Sequence, residues 1–171
     1  MRDIFMIPVD LLSRRSTIRC HYHSKWCNGM NSTADRAEIE ALFQRLVRAH
    51  ADRDADAIVE AYAPDAVIYD LAPPLGRRGM KRDSVATWLA GWDGPIQIGA
   101  RDVDLTVDGD VAFASALNRM RGRQSGEDQD LWYRTTMCLR KTNGRWRIVH
   151  DHSSVPFHMD GSYRAAIDLK S

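Results

Sequence analysis

From Ser32 onward, apolar and polar positions fall first into a helical period and then into an alternating one. Ile39, Leu42, Phe43, Leu46 and Val47 recur at helical spacing, with Glu38, Glu40, Arg45 and Arg48 between them. Ser32 to Asp35 supplies helix N-cap candidates, so the pattern predicts an amphipathic helix from there to about His50. Asp52-Arg53-Asp54 breaks it. A short second helix is expected over Ala55 to Ala63, carrying Ile58, Val59 and Tyr62 and stopping at Pro64. Val67, Ile68 and Tyr69 are β-formers and predict a strand over Asp65 to Asp70. Pro73-Pro74 suits neither helix nor central strand, so Leu71 to Gly76 is a loop. A third helix follows from about Met80 to Trp92, with Val85, Trp88, Leu89 and Trp92 on one face.

After Gly94-Pro95 the period becomes two. Ile96 to Val107, Val111 to Arg121, Leu131 to Lys141 and Arg145 to about Val155 read as strands. Asp108-Gly109-Asp110 and Asn143-Gly144 are hairpin turns, and Gln124 to Asp130 reads as a polar loop. Short connections imply an antiparallel meander. On the last strand, Trp146, Ile148, His150 and His152 should share one face, and Arg147, Val149 and Asp151 the other. A core strand ending in two imidazoles suggests the floor of a pocket with a polar mouth. Asp151 is then expected in a surface pair. The whole predicts an α+β domain of three N-terminal helices packed on a strongly curved antiparallel sheet. Beyond it, Tyr163 to Leu169 offers a helical turn or two.

The expected organisation is an N-terminal extension over 1–31, one domain over 32–158 and a tail over 159–171. Residues 1–30 carry a balance of +3 and the remainder −2, a basic leader on a mildly acidic body. That leader reads as a disordered tail, as a targeting segment, or as the product of a start codon placed upstream of Met30. Cys20, His21, His23 and Cys27 fit no ordinary zinc spacing, so no metal site is expected.

Charge and composition narrow the function. A net charge of +1 argues against a nucleic-acid partner, and no stretch approaches the ~20 apolar residues that span a bilayer. Three scattered cysteines fit a reducing, cytoplasmic compartment better than a disulfide framework. The chain has no Gly-rich phosphate loop, no nucleophile elbow and no internal repeat, so the expected chemistry needs no cofactor.

Several side chains can carry acid/base or binding roles. Asp70 ends a strand beside the Pro-rich loop and reads either as a general base, its pKa raised by Tyr69, Trp88 and Trp92, or as a turn aspartate. His152 reads as a proton carrier, relayed to Asp70 if the sheet ends converge, or as a structural histidine. His150 sits deeper, as a core residue or a ligand contact. Arg134, between Trp132 and Thr136, can hold a carboxylate or an enolate oxygen, or it is an exposed or interface arginine. Asn118 shares its face with Ala112, Ala114, Ala116 and Met120, as a ligand contact or a buried hydrogen bond. Trp88, Trp132 and Tyr69 complete the expected lining.

Three stretches in order carry a resemblance. Tyr62 to Asp70, the closing hairpin at Gly144 to Ile148, and His150 to Phe157 with Asn118 and Trp132 to Thr136 resemble the SnoaL-like proteins of the nuclear transport factor 2-like superfamily, which also includes ketosteroid isomerases. The likeness covers about residues 33–157. It implies a cone with a small-molecule pocket at its open end and a homodimer formed through the sheet. It places Asp70 at the isomerase general-base position. It departs at the oxyanion hole, where Leu46 stands in place of a tyrosine and Leu131 to Leu139 contains no acid. Isomerase, cyclase, dehydratase or hydrolase chemistry on an apolar carbonyl or carboxylate compound is the expectation. A non-catalytic binding or dimerisation domain, or a subunit steering another enzyme's substrate, stands beside it.

Overall fold

The computed structural model describes residues 28–170, with side chains from Thr33 onward. The readings placed on Cys20, His21, His23 and Cys27, and most of the 1–31 extension, lie outside the described residues. The first helix, α1 (Asn28–Asp52), begins before the expected caps, because no proline stops it N-terminal to Asp35. Its buried stripe is Ile39, Leu42, Leu46 and Ala49, which packs on the sheet. Helix α2 (Ala55–Glu60) is capped by Asp54, whose carboxylate accepts from Ala57 N at 3.0 Å. Helix α3 (Arg82–Ala90) buries Val85 and Leu89.

Six strands follow the order β2-β1-β6-β5-β4-β3. They are β1 (Tyr62–Tyr69), β2 (Arg77–Arg78), β3 (Gln97–Asp108), β4 (Val111–Gln124), β5 (Glu127–Thr142) and β6 (Arg145–Ser154). Neighbours run antiparallel except β1 and β6, which pair in parallel. The helices cover one face of this mixed sheet and the core lies between them, as the expected α+β cone requires.

Three boundaries differ from expectation. Strand β1 begins at Tyr62 rather than Asp65, because Ile148 N donates to Ala61 O at 2.9 Å and Tyr62 pairs with Ile148. Pro64 is tolerated there, since the register breaks between Tyr62 and Val67. The expected loop over Gln124 to Asp130 is instead a two-residue turn, Ser125-Gly126, with both φ positive at 52 and 83°. The strands continue through it with pairs such as Arg121 opposite Asp130 and Arg123 opposite Asp128. The expected helical turn after Tyr163 is absent. The tail folds back in a bridge between Phe157 and Ala165, and Tyr163 itself has φ 52°. No helix among the described residues is long and apolar enough to cross a membrane.

Candidate functional site

Between α1, α3 and the inner face of the sheet lies a cavity of about 580 Å³, within the size range of small-molecule sites. Phe43, Leu46 and Val47 of α1, Val85 and Trp88 of α3, and Met120 and Met137 of the sheet line it with apolar surface. Three adjacent strands bring Asn118 on β4, Tyr133 and Thr135 on β5, and Asp151 and Ser153 on β6 to it, with Tyr62 of β1 beside them. His50, Asp70, Arg77, Lys81 and Ser84 add further polar groups to the lining.

A bulge decides which residues of β6 face inward. Ile148 pairs with Leu139, and His150 pairs with Cys138, so β6 advances two residues while β5 advances one. Val149 is the extra residue. Before it, Trp146 and Ile148 are buried; after it, Asp151 is buried and His152 is exposed. A one-residue slip exchanges the faces of everything downstream. Strict alternation assigned these faces the other way round. Asp151 is therefore not in the surface pair expected of it.

Asp151 is 8% exposed. Its Oδ2 accepts from the Tyr62 hydroxyl at 2.7 Å, and its Oδ1 has no partner among the described residues. Burial pushes its pKa up to about 6, helped by the Asp70 charge and opposed by the Tyr62 hydrogen bond, His150 and Arg77. Burial likewise raises Tyr62, and holds Tyr133 up at about 12. Asn118 donates from Nδ2 to Thr135 Oγ1 at 2.9 Å, and Thr135 Oγ1 lies 3.3 Å from Ser153 Oγ. His50, on the cavity wall, donates from Nδ1 to Leu46 O at 2.7 Å. Burial lowers its pKa, so the ring is neutral at neutral pH and Nε2 is a proton acceptor.

The residues singled out from sequence divide between the cavity lining and positions away from it. Asp70, Tyr69, Trp88 and Asn118 line the cavity. Asp70 accepts from Leu71 N at 2.8 Å and from Arg77 Nη2 at 2.6 Å, so both of its oxygens are engaged. The Tyr69 ring meets His150 and His152 edge-on, at 5.2 and 5.8 Å. Trp88 meets His50 at 5.9 Å and Trp92 at 5.7 Å. His150, His152, Trp132 and Arg134 do not line the cavity. His150 Nδ1 donates to Val67 O at 2.9 Å. The guanidinium groups of Arg101 and Arg119 lie over the Trp132 ring, 5.7 and 5.5 Å from its centroid. Arg134 is exposed. The Asp70–His152 relay does not form, because Asp70 is held by Arg77 and His152 faces outward.

Sequence reasoning missed Asp151, Tyr62, Tyr133, Thr135, Ser153 and His50. For three of them a signal existed. His50 lies four residues beyond Leu46 on the same helical face. Leu131, Tyr133, Met137 and Leu139 alternate along β5, which marks that face, and Thr135 with it, as the inward one. Among the described residues, no three His, Cys, Asp or Glu side chains come together to hold a metal.

No curated protein matches the sequence. Among solved structures, an NTF2-like protein of unknown function from Pseudomonas putida KT2440 is 32% identical, with a TM-score of 0.73, covering 82% of this chain and 99% of that one. A candidate scytalone dehydratase from Novosphingobium aromaticivorans superposes with a TM-score of 0.63 at 16% identity, over 83% of this chain and 99% of its own. A candidate dehydratase of the NTF2-like family from Streptomyces avermitilis gives 0.62 at 16% identity, over 72% and 97%. The family model for the SnoaL-like domain matches residues 39–158. The chain belongs to the SnoaL-like domain family of the nuclear transport factor 2-like superfamily.

Proposed function

We propose that the protein is an acid/base enzyme of the isomerase, cyclase, dehydratase or hydrolase type. Its substrate is a small apolar carbonyl or carboxylate compound, and Asp151 carries the proton. One observation supports this most directly. A carboxylate buried in a largely apolar cavity keeps an oxygen with no partner among the described residues, and burial pushes its pKa up to about 6. Burying such a group costs free energy that packing alone does not return, and an operating pKa near neutrality is what general acid/base catalysis needs. The Tyr62 hydrogen bond fixes Asp151 Oδ2 and leaves Oδ1 to act. Neutral His50 on the wall gives a second proton acceptor. Asp70, held by Arg77, tunes Asp151 through its charge. The dehydratase names attached to two structural relatives agree with this class of chemistry.

The uncovered face of the sheet presents Val111 and Phe113, each about half exposed, and we propose that it forms a homodimer. Cys138 is a free thiol, in keeping with a reducing, cytoplasmic compartment.

Elimination of 5-nitrobenzisoxazole tests the proton carrier without knowledge of the natural substrate. A buried carboxylate removes the ring proton as the N–O bond breaks. The rate constant kcat/KM should rise with pH through a midpoint near 6, where Asp151 ionises, and level above it. Asp151→Asn should lower it at pH 8 by about a hundredfold or more. Equal rates for the two proteins would refute the assignment and favour a domain that binds without catalysis.

A further inference from the structure

Arg77 and Lys81 bring positive charge to the cavity lining. Strand β2 pairs Arg77 with Ile68, a buried residue that also lines the cavity, and paired residues share a face of the sheet. Arg77 therefore stands on the inner side of the sheet edge. Gly79 then turns the chain from β2 towards α3. Its φ is 69°, its N donates to Ala66 O at 2.8 Å, and a Cβ there would meet Pro64 O at 2.6 Å. So close a turn requires glycine, and it carries Met80 and Lys81 back over the cavity. Lys81 is exposed and Arg77 partly so, which puts both at the mouth. Each keeps donors unused. Arg77 Nη2 donates to Asp70 Oδ2 at 2.6 Å and lies 3.8 Å from Met80 Sδ. Its Nε and Nη1 have no acceptor among the described residues, and neither has Lys81 Nζ. Asp70 offsets the charge of Arg77, so the mouth is left with one positive charge, on Lys81.

We propose that Arg77 and Lys81 form a carboxylate subsite at the cavity mouth. The ligand is a monocarboxylate whose apolar body fills the space lined by Phe43, Val47, Trp88 and Met137. The carboxylate-binding role open to Arg134 on sequence grounds falls to these two side chains, because Arg134 does not line the cavity. This rests on the reading of the cavity as a small-molecule site, and it narrows carbonyl or carboxylate compounds to the second kind. It does not need Asp151 to carry a proton. The two donors supply charge-assisted hydrogen bonds, and the apolar walls supply burial. Charge balance selects a monoanion over a phosphate dianion, since Asp70 stands against Arg77 and a single cation is left to be met. A ligand held by its anion at the mouth has its other end inward, towards Asn118, Thr135 and Asp151. The subsite thus fixes which end of the molecule reaches the polar groups of the sheet.

Calorimetric titration with 2-naphthoate and its neutral amide, 2-naphthamide, tests the subsite at pH 7.5 and low salt. The two probes share an apolar body and differ in charge. The native full-length protein should bind the naphthoate about tenfold more tightly than the amide, and added salt should shrink that preference. Lys81→Gln should remove most of the preference by weakening the naphthoate, with amide binding as the measure that the cavity survives. Lys81→Arg should keep the preference. Arg77→Gln combined with Asp70→Asn removes the pair without stranding a charge, and should weaken the naphthoate alone. Equal affinity of the native protein for both probes, binding of neither, or a preference untouched in Lys81→Gln overturns the proposal. Asp151→Asn separates the subsite from the proton carrier. That variant should bind the naphthoate at least as tightly as the native protein, because an opposing charge is gone. Loss of naphthoate binding there would put the anion at Asp151 and overturn the subsite. A preserved preference together with unchanged elimination of 5-nitrobenzisoxazole in Asp151→Asn would refute the proton carrier and leave the subsite standing.

Discussion

Burial holds the Asp151 carboxyl near 6, whereas an aspartate in an unfolded chain ionises near ~3.9. Between those values the native chain keeps a proton that the unfolded chain releases. Stability contributed by this group is therefore fully present below about pH 4, falls as pH rises to about 6, and is level above. The span corresponds to about 3 kcal/mol. His50 acts in the opposite sense, since its lowered pKa makes the native chain release a proton that the unfolded chain keeps just below pH 6.5. The difference in unfolding free energy between the native protein and Asp151→Asn cancels the His50 term. Chemical denaturation should show that difference moving by roughly 3 kcal/mol between pH 4 and 7, in favour of the variant at the higher pH. A difference independent of pH would mean that Asp151 is not a buried acid. At this scale the sequence was partly legible. Asn118 stood out as a polar residue among inward alanines, and it is buried in the cavity. Asp151 was hidden, because its burial depends on a backbone irregularity two residues earlier that no side-chain pattern announces.

Among the elements, β6 shows where periodicity fails. Its first half obeys alternation through Trp146 and Ile148, and the extra residue Val149 then reverses the phase. A deletion test follows. Removing Val149 should let Ile148 and the present His150 pair with Leu139 and Cys138 in regular succession, leaving Asp151 inward. The variant should fold, at a cost of about 1–3 kcal/mol, and keep a carboxyl carbon resonance titrating near 6. Loss of that resonance to an ordinary aspartate position would show that Val149 is not the inserted residue. The same paragraph of sequence misled at Gln124 to Asp130. Polar residues on both faces read as a loop, yet Arg119 and Asp130 join side by side at 2.7 Å and hold the hairpin as strand. Polarity there reports that the hairpin projects into solvent, and says little about backbone shape. Helices were the most legible elements, since the stripe Ile39, Leu42, Leu46 specifies both the element and the face it buries.

For the whole molecule, three helices over a curved sheet were readable from the change in period, while the placement of β1 was not. Parallel pairing of a strand with a partner more than eighty positions away leaves no local trace. The uncovered face carries the proposed dimer, so Phe113→Glu should convert a dimer to a monomer by light scattering, with the melting behaviour of the cavity side retained. A monomeric native protein would refute that interface.

The position of β6 between β1 and β5 also orders the protein's manufacture. On the ribosome, Tyr62 emerges 89 residues ahead of the aspartate that receives its hydrogen bond. Until Arg145–Ser154 follows, β1 has only the two-residue β2 beside it, and Ala66 and Ile68 have no sheet to enter. The growing chain must carry an open β-edge through most of its synthesis, the condition in which strands pair with the wrong partner. Closing the edge and seating Asp151 against Tyr62 in the cavity are one event, so a chain released too early has neither.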